Sequence, residues 1–227
     1  MTELAHHSTD YSVVESESPD VMGRNLRVGA HLWSSATAFF FVAFLFTYFY
    51  LRSLNNHGLW RPKGVNAPVT LGTLIAVAVA LSAITTFAAA RKLRAGDRSA
   101  FRSLGVVALA LGLAAVVLQI VVFATVGFGP TDGAYASVFL AWSGFYMVFV
   151  VGTMYWLEVL LATSFRYRGH GAAARPAPGE ASGDVHRMGD DIASPISLQS
   201  PGADAFAFTW GVLAGIGVIT WIILYLI

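Results

Sequence analysis

Five uncharged apolar runs leave this chain few ways to fold: Val28 to Leu51, Gly64 to Ala90, Ser103 to Thr131, Gly133 to Leu157, and Ala205 to Ile227. An α-helix rises about 1.5 Å per residue, so roughly 20 apolar residues cross a hydrocarbon core of about 30 Å. Each run is long enough. The expected fold is an all-α membrane protein of five transmembrane helices. Composition agrees, because only 12% of the 227 residues are charged, against about 25% in a typical soluble domain.

Several functional classes are excluded early. The 14 Lys and Arg nearly balance the 13 Asp and Glu, so no basic face recommends nucleic acid as a partner. Cysteine is absent, which removes disulfides, thiolate-ligated clusters and a Cys-bridged copper centre from this chain. Of the six histidines, His6, His7, His57, His170 and His186 belong to polar segments and only His31 to a span. A buried haem with two axial histidines cannot be built from one. The first 27 residues carry Glu3, Asp10, Glu15, Glu17 and Asp20 without an apolar stretch, so they are expected to be a solvated arm and not a secretory signal.

Charge placement orients the spans, since basic loops stay in the cytoplasm. Arg24 and Arg27 precede span 1. Arg91, Lys92, Arg94, Arg98 and Arg102 join spans 2 and 3, and Arg166, Arg168, Arg175 and Arg187 follow span 4. Alternate crossing puts all of these on one side and leaves Arg52, Arg61 and Lys63 on the other. The expectation is a cytoplasmic N-terminus and an outside C-terminus. Residues 1–27 then form the arm, 28–165 a membrane domain with helices 1–4, 166–204 a cytoplasmic loop, and 205–227 the fifth helix. The loop is rich in Pro, Gly and Ala, with too few apolar residues to pack its own core.

Within the spans, ionisable groups are nearly missing. The aromatics of span 1, from Phe39 to Tyr50, surround the helix, so some are expected to face lipid or a neighbour. Tyr48, Tyr50, Arg52 and Trp60 are expected to anchor at the headgroup level. Small residues recur at spacings of three and four: Gly72, Ala76, Ala80 and Ala83, then Gly105, Ala108 and Gly112, with one GxxxG step at Gly211 and Gly215. They are expected to permit close helix approach. Gln119 is expected to hydrogen-bond across helices or to a lipid headgroup. Glu158 and His31 read as interfacial groups near the cytoplasmic end, with proton collection and metal ligation as their alternatives.

Taken in order, these segments resemble subunit III of the haem-copper oxidases over roughly residues 29–227. The stretch LWSSATAFFFVAFLFTYFYLRS resembles the family's first shared helix, and GDRSAFRSLGVVALALGLAAVVLQ its basic loop and the helix ending at a glutamine, here Gln119. AYASVFLAWSGFYMVFVVGT is similar to the family's Tyr-x-Ser-x-Phe turn, here Tyr135, Ser137 and Phe139, followed by a Gly-Phe-His-x-x-His helix that begins here at Gly144 and Phe145. AFAFTWGVLAGIGVITWIILYLI matches in the positions of Trp210 and Tyr225. Many members have seven helices, so this chain would correspond to a five-helix form.

The departures share one character. Thr37 and Val122 stand where the family pattern has membrane glutamates, Tyr146 and Phe149 where it has the two histidines, and Gly211 and Ala214 where it has His and Asp. An ionisable group within a bilayer costs several kcal/mol and persists for a functional reason, so their loss points to a scaffold. Gln119, Tyr135, Ser137, Gly144, Phe145, Tyr146 and Trp210 are then expected to shape helix contacts or a lipid cleft. The resemblance implies a non-catalytic subunit of a terminal oxidase in a bacterial cell membrane, beside catalytic subunit I, subunit II and other respiratory subunits. It implies haem and copper in those partners, none in this chain, and bound phospholipid. A subunit III-like protein associated with nitric oxide reductase is the nearest alternative. A small transporter is disfavoured because the spans lack a polar path.

Overall fold

The computed structural model describes residues 18–55, 58, 60–166 and 198–227. They form five long helices: α1 (Pro19–Ser53), α2 (Val69–Arg94), α3 (Arg98–Thr125), α4 (Ala134–Arg166) and α5 (Gln199–Trp221), the last continued by a π-helical turn, Ile222–Leu226. No strand occurs among the described residues. All five helices are long and apolar enough to cross a membrane, so the chain is a multi-pass membrane protein. The expected arm up to residue 17, most of the expected loop (167–197), and His6, His7, His57, His170 and His186 lie outside the described residues.

Two helices start earlier than hydropathy alone indicated. Residues 19–27, expected in the arm, belong to α1: Pro19 opens the helix, where its fixed φ fits and its missing N–H costs nothing. Asp20 sits in the first turn, against the positive end of the helix dipole. With 35 residues, α1 is roughly 50 Å long and overshoots the hydrocarbon core at one end or both. Likewise α5 begins at Gln199 and not Ala205, which brings Asp204 into the helix. The Asp204 carboxylate lies 3.1 Å from Arg94 of α2, and Arg27 of α1 is within electrostatic reach of it. A charge that hydropathy would place outside is accommodated by that pairing.

The α2–α3 connection is the tightest. Gly96 has a φ of 82°, the left-handed geometry that favours glycine. Its N–H reaches the Leu93 carbonyl at 3.0 Å, and the Asp97 N–H reaches that of Lys92 at 3.0 Å, the paired bonds of a Schellman ending. The Asp97 side chain then accepts from the Ala100 N–H at 2.9 Å, capping α3. At this end of the bundle Arg102 donates from Nε to Ser164 Oγ at 2.9 Å and from its terminal nitrogen to the Ser164 carbonyl, tying α3 to the last turn of α4.

In the interior, Trp210 Nε1 of α5 donates to Ser82 Oγ of α2 at 3.1 Å. Ser82 in turn donates to the Ala108 carbonyl of α3 at 2.7 Å. Trp210, Ser82 and Ala108 are fully buried. Nearer the opposite end, Trp221 Nε1 donates to Thr73 Oγ1 at 3.2 Å, again joining α5 to α2.

Glycines admit several close contacts. A Cβ added at Gly217 would come within 2.1 Å of the Tyr146 hydroxyl, at Gly72 within 2.4 Å of the Tyr225 ring, and at Gly211 within 2.7 Å of the Phe87 ring. Gly105 and Gly112 of α3 receive Leu161 and Met154 of α4 in the same way. Gly144 and Gly215 do not take part: a Cβ at either meets nothing within 4 Å. The expected GxxxG step therefore reduces to Gly211 alone, and Gly144 is no close-approach position within the chain.

Two predictions follow from this packing. Ser82→Ala leaves the Trp210 N–H without its acceptor and is expected to destabilise the bundle by about 1 kcal/mol, in the range of interhelical hydrogen bonds, read as a lower thermal midpoint in detergent. Gly217→Val displaces the Tyr146 ring and is expected to cost about 1–3 kcal/mol as an overpacked core; Gly144→Val in the same assay should leave the midpoint near the parent's.

Candidate functional site

The sequence-derived residues separate into an interior set, a surface groove and two helix ends. Gln119 and Tyr146 come together. They share a cavity of about 30 Å³ between α2, α3, α4 and α5 with Ser143 and Thr220. Gln119 is 6% and Tyr146 7% exposed. Tyr146 donates to the Leu213 carbonyl at 3.2 Å, and Ser143 to the Phe139 carbonyl at 2.5 Å. Gln119 Nε2 and Thr220 Oγ1 are buried without hydrogen-bond partners. The Gln119 amide nitrogen does not make the direct interhelical bond that is one of its two expected roles.

Beside this cavity lies a second small one, about 10 Å³, where Ser34 and Thr37 of α1 face Thr153 of α4 and Thr209 of α5. Ser34 donates to Thr209 at 3.5 Å. Thr37 is 6% exposed, while Val122 is wholly buried. Among the described residues the buried polar side chains are hydroxyls, the amides of Gln119 and Gln199, and indoles, those of Trp142 and Trp210 among them, none of which ionises near neutral pH. Among the described residues no group of three or more His, Cys, Asp or Glu is placed to hold a metal ion.

Tyr135 marks the opposite end of the bundle from Asp204. It is 1% exposed and donates to the Leu224 carbonyl at 2.5 Å, capping the π turn that ends α5. Its backbone N–H reaches the Trp60 carbonyl at 3.0 Å, and the Arg61 guanidinium lies 4.4 Å over its ring. Trp60 also stands edge-on to Tyr48 at 5.1 Å. Tyr48 and Trp60, expected as headgroup anchors, are instead core residues, at 1% and 8% exposure. Trp60, from the α1–α2 connection, packs between Tyr48 of α1 and Tyr135 of α4. Tyr50 stays exposed, and Arg52 lies 6.0 Å over the Tyr48 ring. Ser137 is separate: it donates to the Pro130 carbonyl at 2.5 Å and fastens the turn before α4.

On the outer face, Phe145 is half-exposed and packs against Phe40 and Phe44 of α1 at 5.4 and 5.7 Å. Below it runs an open groove of about 510 Å³, walled by Trp33 of α1 and by Val148, Phe149, Gly152, Thr153 and Trp156 of α4. A second hollow of about 390 Å³ shares Trp33 and Trp156 and continues along Leu26 and Gly29 to Leu198. Trp210 does not reach this groove. His31 Nδ1 donates to the Arg27 carbonyl at 2.6 Å, and its ring lies 4.3 Å from that of Phe208. Glu158 is exposed on α4.

Sequence reasoning passed over Ser82, Ser143, Thr220 and Asp204. The first three are small hydroxyl residues in apolar runs, where a polar atom has to find a partner inside the bundle; that was the available signal. For Asp204 the signal was a lone carboxylate just ahead of an apolar run.

Comparison with known proteins matches residues 10–171 to the model of the family described as cytochrome c oxidase subunit III. The match begins earlier than the resemblance drawn from residues and stops before α5. Curated relatives named cytochrome c oxidase subunit 3 include that of Rattus norvegicus, 26% identical over 152 residues, covering 65% of this chain and 58% of the relative. That of Latimeria chalumnae is 33% identical over 151 residues, covering 63% and 57%. That of Didelphis virginiana is 29% identical over 152 residues, covering 64% and 54%. The chain thus spans less than three fifths of the length of these relatives. With most of its length matched by one family model, and with the helical frame that the matched segments build, the chain belongs to the cytochrome c oxidase subunit III family.

Proposed function

We propose that this chain serves as a non-catalytic subunit III of a haem-copper terminal oxidase in a bacterial plasma membrane, supporting the catalytic subunit laterally and holding phospholipid. The observation that carries the reading is the family match over residues 10–171. Supporting it, the described interior offers hydroxyls, amides and indoles where a transporter would need a polar path. Haem and copper belong, on this reading, to subunit I and subunit II, which reduce oxygen and move protons.

Two surfaces suit the role. The outer side of α1 exposes Phe39, Phe46, Phe49 and Tyr50, a rigid apolar face for a neighbouring subunit or for lipid. The groove between Trp33 and Trp156 has the elongated apolar form of an acyl-chain site. Arg94 and Arg27 meet Asp204 at the start of α5 and Arg102 bonds Ser164 at the end of α4, on the helix ends that also carry Arg24, Arg91, Lys92, Arg98 and Arg166, while Arg52 and Arg61 lie over the rings of Tyr48 and Tyr135. By the retention of basic residues, the richer end faces the cytoplasm. His31 and Glu158, near that end, then sit at headgroup depth, and Arg52 at the other interface.

Affinity purification of the tagged chain in mild detergent is expected to recover a large, histidine-rich haem-copper subunit, with a haem difference spectrum and oxygen consumption. Recovery of the chain alone and haem-free would overturn the assignment, and nitric oxide reduction in place of oxygen consumption would move it to the related branch. For the lipid groove, Gly152→Leu adds bulk where a Cβ meets nothing within 4 Å. It is expected to lower the phospholipid retained in native mass spectrometry while the thermal midpoint stays unchanged; full lipid retention would count against the groove.

A further inference from the structure

The cavity between α2, α3, α4 and α5 has a chemistry that lateral packing does not use. Gln119 Nε2 from α3 and Thr220 Oγ1 from α5 are both buried and unpartnered, and both residues line the same space of about 30 Å³. They do not bond to each other. The other polar residues on the wall are Tyr225, Trp221, whose N–H is given to Thr73, and Tyr146 and Ser143 of α4, whose hydroxyl protons are committed to the Leu213 and Phe139 carbonyls. Each hydroxyl oxygen keeps acceptor capacity. The wall thus presents a free amide donor, a free hydroxyl able to donate or accept, and two acceptors from three different helices.

We propose that this cavity is a structural water site, occupied by one or two ordered waters that link Gln119 to Thr220 and to the α4 hydroxyls. Size and polarity select the ligand. A water needs roughly 10–15 Å³ of such volume and two to four polar partners, which this space supplies. An acyl chain is too large, and it would leave the amide unsatisfied. A cation is disfavoured because no carboxylate lines the site and the amide N–H₂ would oppose it. One water can accept from the Gln119 amide and donate to Tyr146 or Ser143, and the same or a second water meets Thr220. Three helices, α3, α4 and α5, are thereby joined through solvent. The inference stands independently of the complex in which the chain works.

The test is an experimental structure of the full chain in its native complex or in a lipid nanodisc, at a resolution that shows ordered water. A density peak within hydrogen-bond distance of both Gln119 and Thr220 is expected. The same side-chain positions with no peak, a direct Gln119–Thr220 bond, or a lipid carbon in the cavity would overturn the proposal. A second measurement is a thermodynamic cycle of Gln119→Leu, Thr220→Val and the double variant in detergent unfolding. Because a shared water is lost with either residue, the double variant is expected to be less destabilised than the two single effects combined, by at least about threefold in the unfolding constant. Additive effects would overturn the bridge. Should a variant not fold, the density decides alone.

Discussion

Trp210, Ser82 and the carbonyl of Ala108 form the contact on which the bundle turns, because helices in lipid gain little by burying apolar faces against one another. Lipid tails are as apolar as leucine, so association depends on shape and on polar atoms that would otherwise be stranded. Ser82 Oγ accepts from α5 and donates to α3, so its single oxygen sets the depth at which three helices meet. The glycine contacts then act around that level. Gly217 takes the Tyr146 hydroxyl and Gly211 the Phe87 ring, each allowing an aromatic side chain to lie against backbone.

The two ends of the bundle are closed by different chemistry. At one end the Arg94–Asp204 pair and the Arg102–Ser164 bonds fasten helices near the headgroup region, where charges keep access to water. At the other, Tyr135, Trp60 and Tyr48 make an aromatic clasp, with Arg61 over the Tyr135 ring and Arg52 over that of Tyr48. Between the ends only neutral polar groups remain. A buried hydroxyl or amide needs a hydrogen-bond partner, whereas a buried charge needs a counter-charge or a change of protonation state. Thr37, Tyr146 and Val122 are buried and carry no charge that would bring that penalty.

The proposed supporting role follows from this division. A rigid interior allows the outer side of α1 and α4 to present aromatic rings in fixed positions, and the Trp33–Trp156 groove keeps its shape because Phe149, on its wall, is held by Phe40 and Phe41. The proposed water site belongs to the interior, and the lipid groove to the surface. Trp33, Phe149 and Thr153 border both the groove and the small hydroxyl-lined cavity, so these three side chains form the wall between them.

The five helices and their antiparallel order were legible in the sequence, since uncharged runs of this length have to bury their backbone polar groups in helices and basic residues mark alternate connections. The family was legible too, from Tyr135, Ser137, Gln119 and Trp210 at compatible spacing. Other features needed the tertiary structure. Hydropathy does not distinguish a ring facing lipid from one facing a neighbouring helix, so Tyr48 and Trp60 read as anchors although they are core. Spacing shows which small residues share a helix face but not what lies opposite, so Gly215 read like Gly211 although only the latter meets a side chain. The existence and order of the helices follow from local energetics along the chain; the partners of Ser82, Gln119 and Asp204 depend on rotation and depth, which are decided only when all five helices pack together.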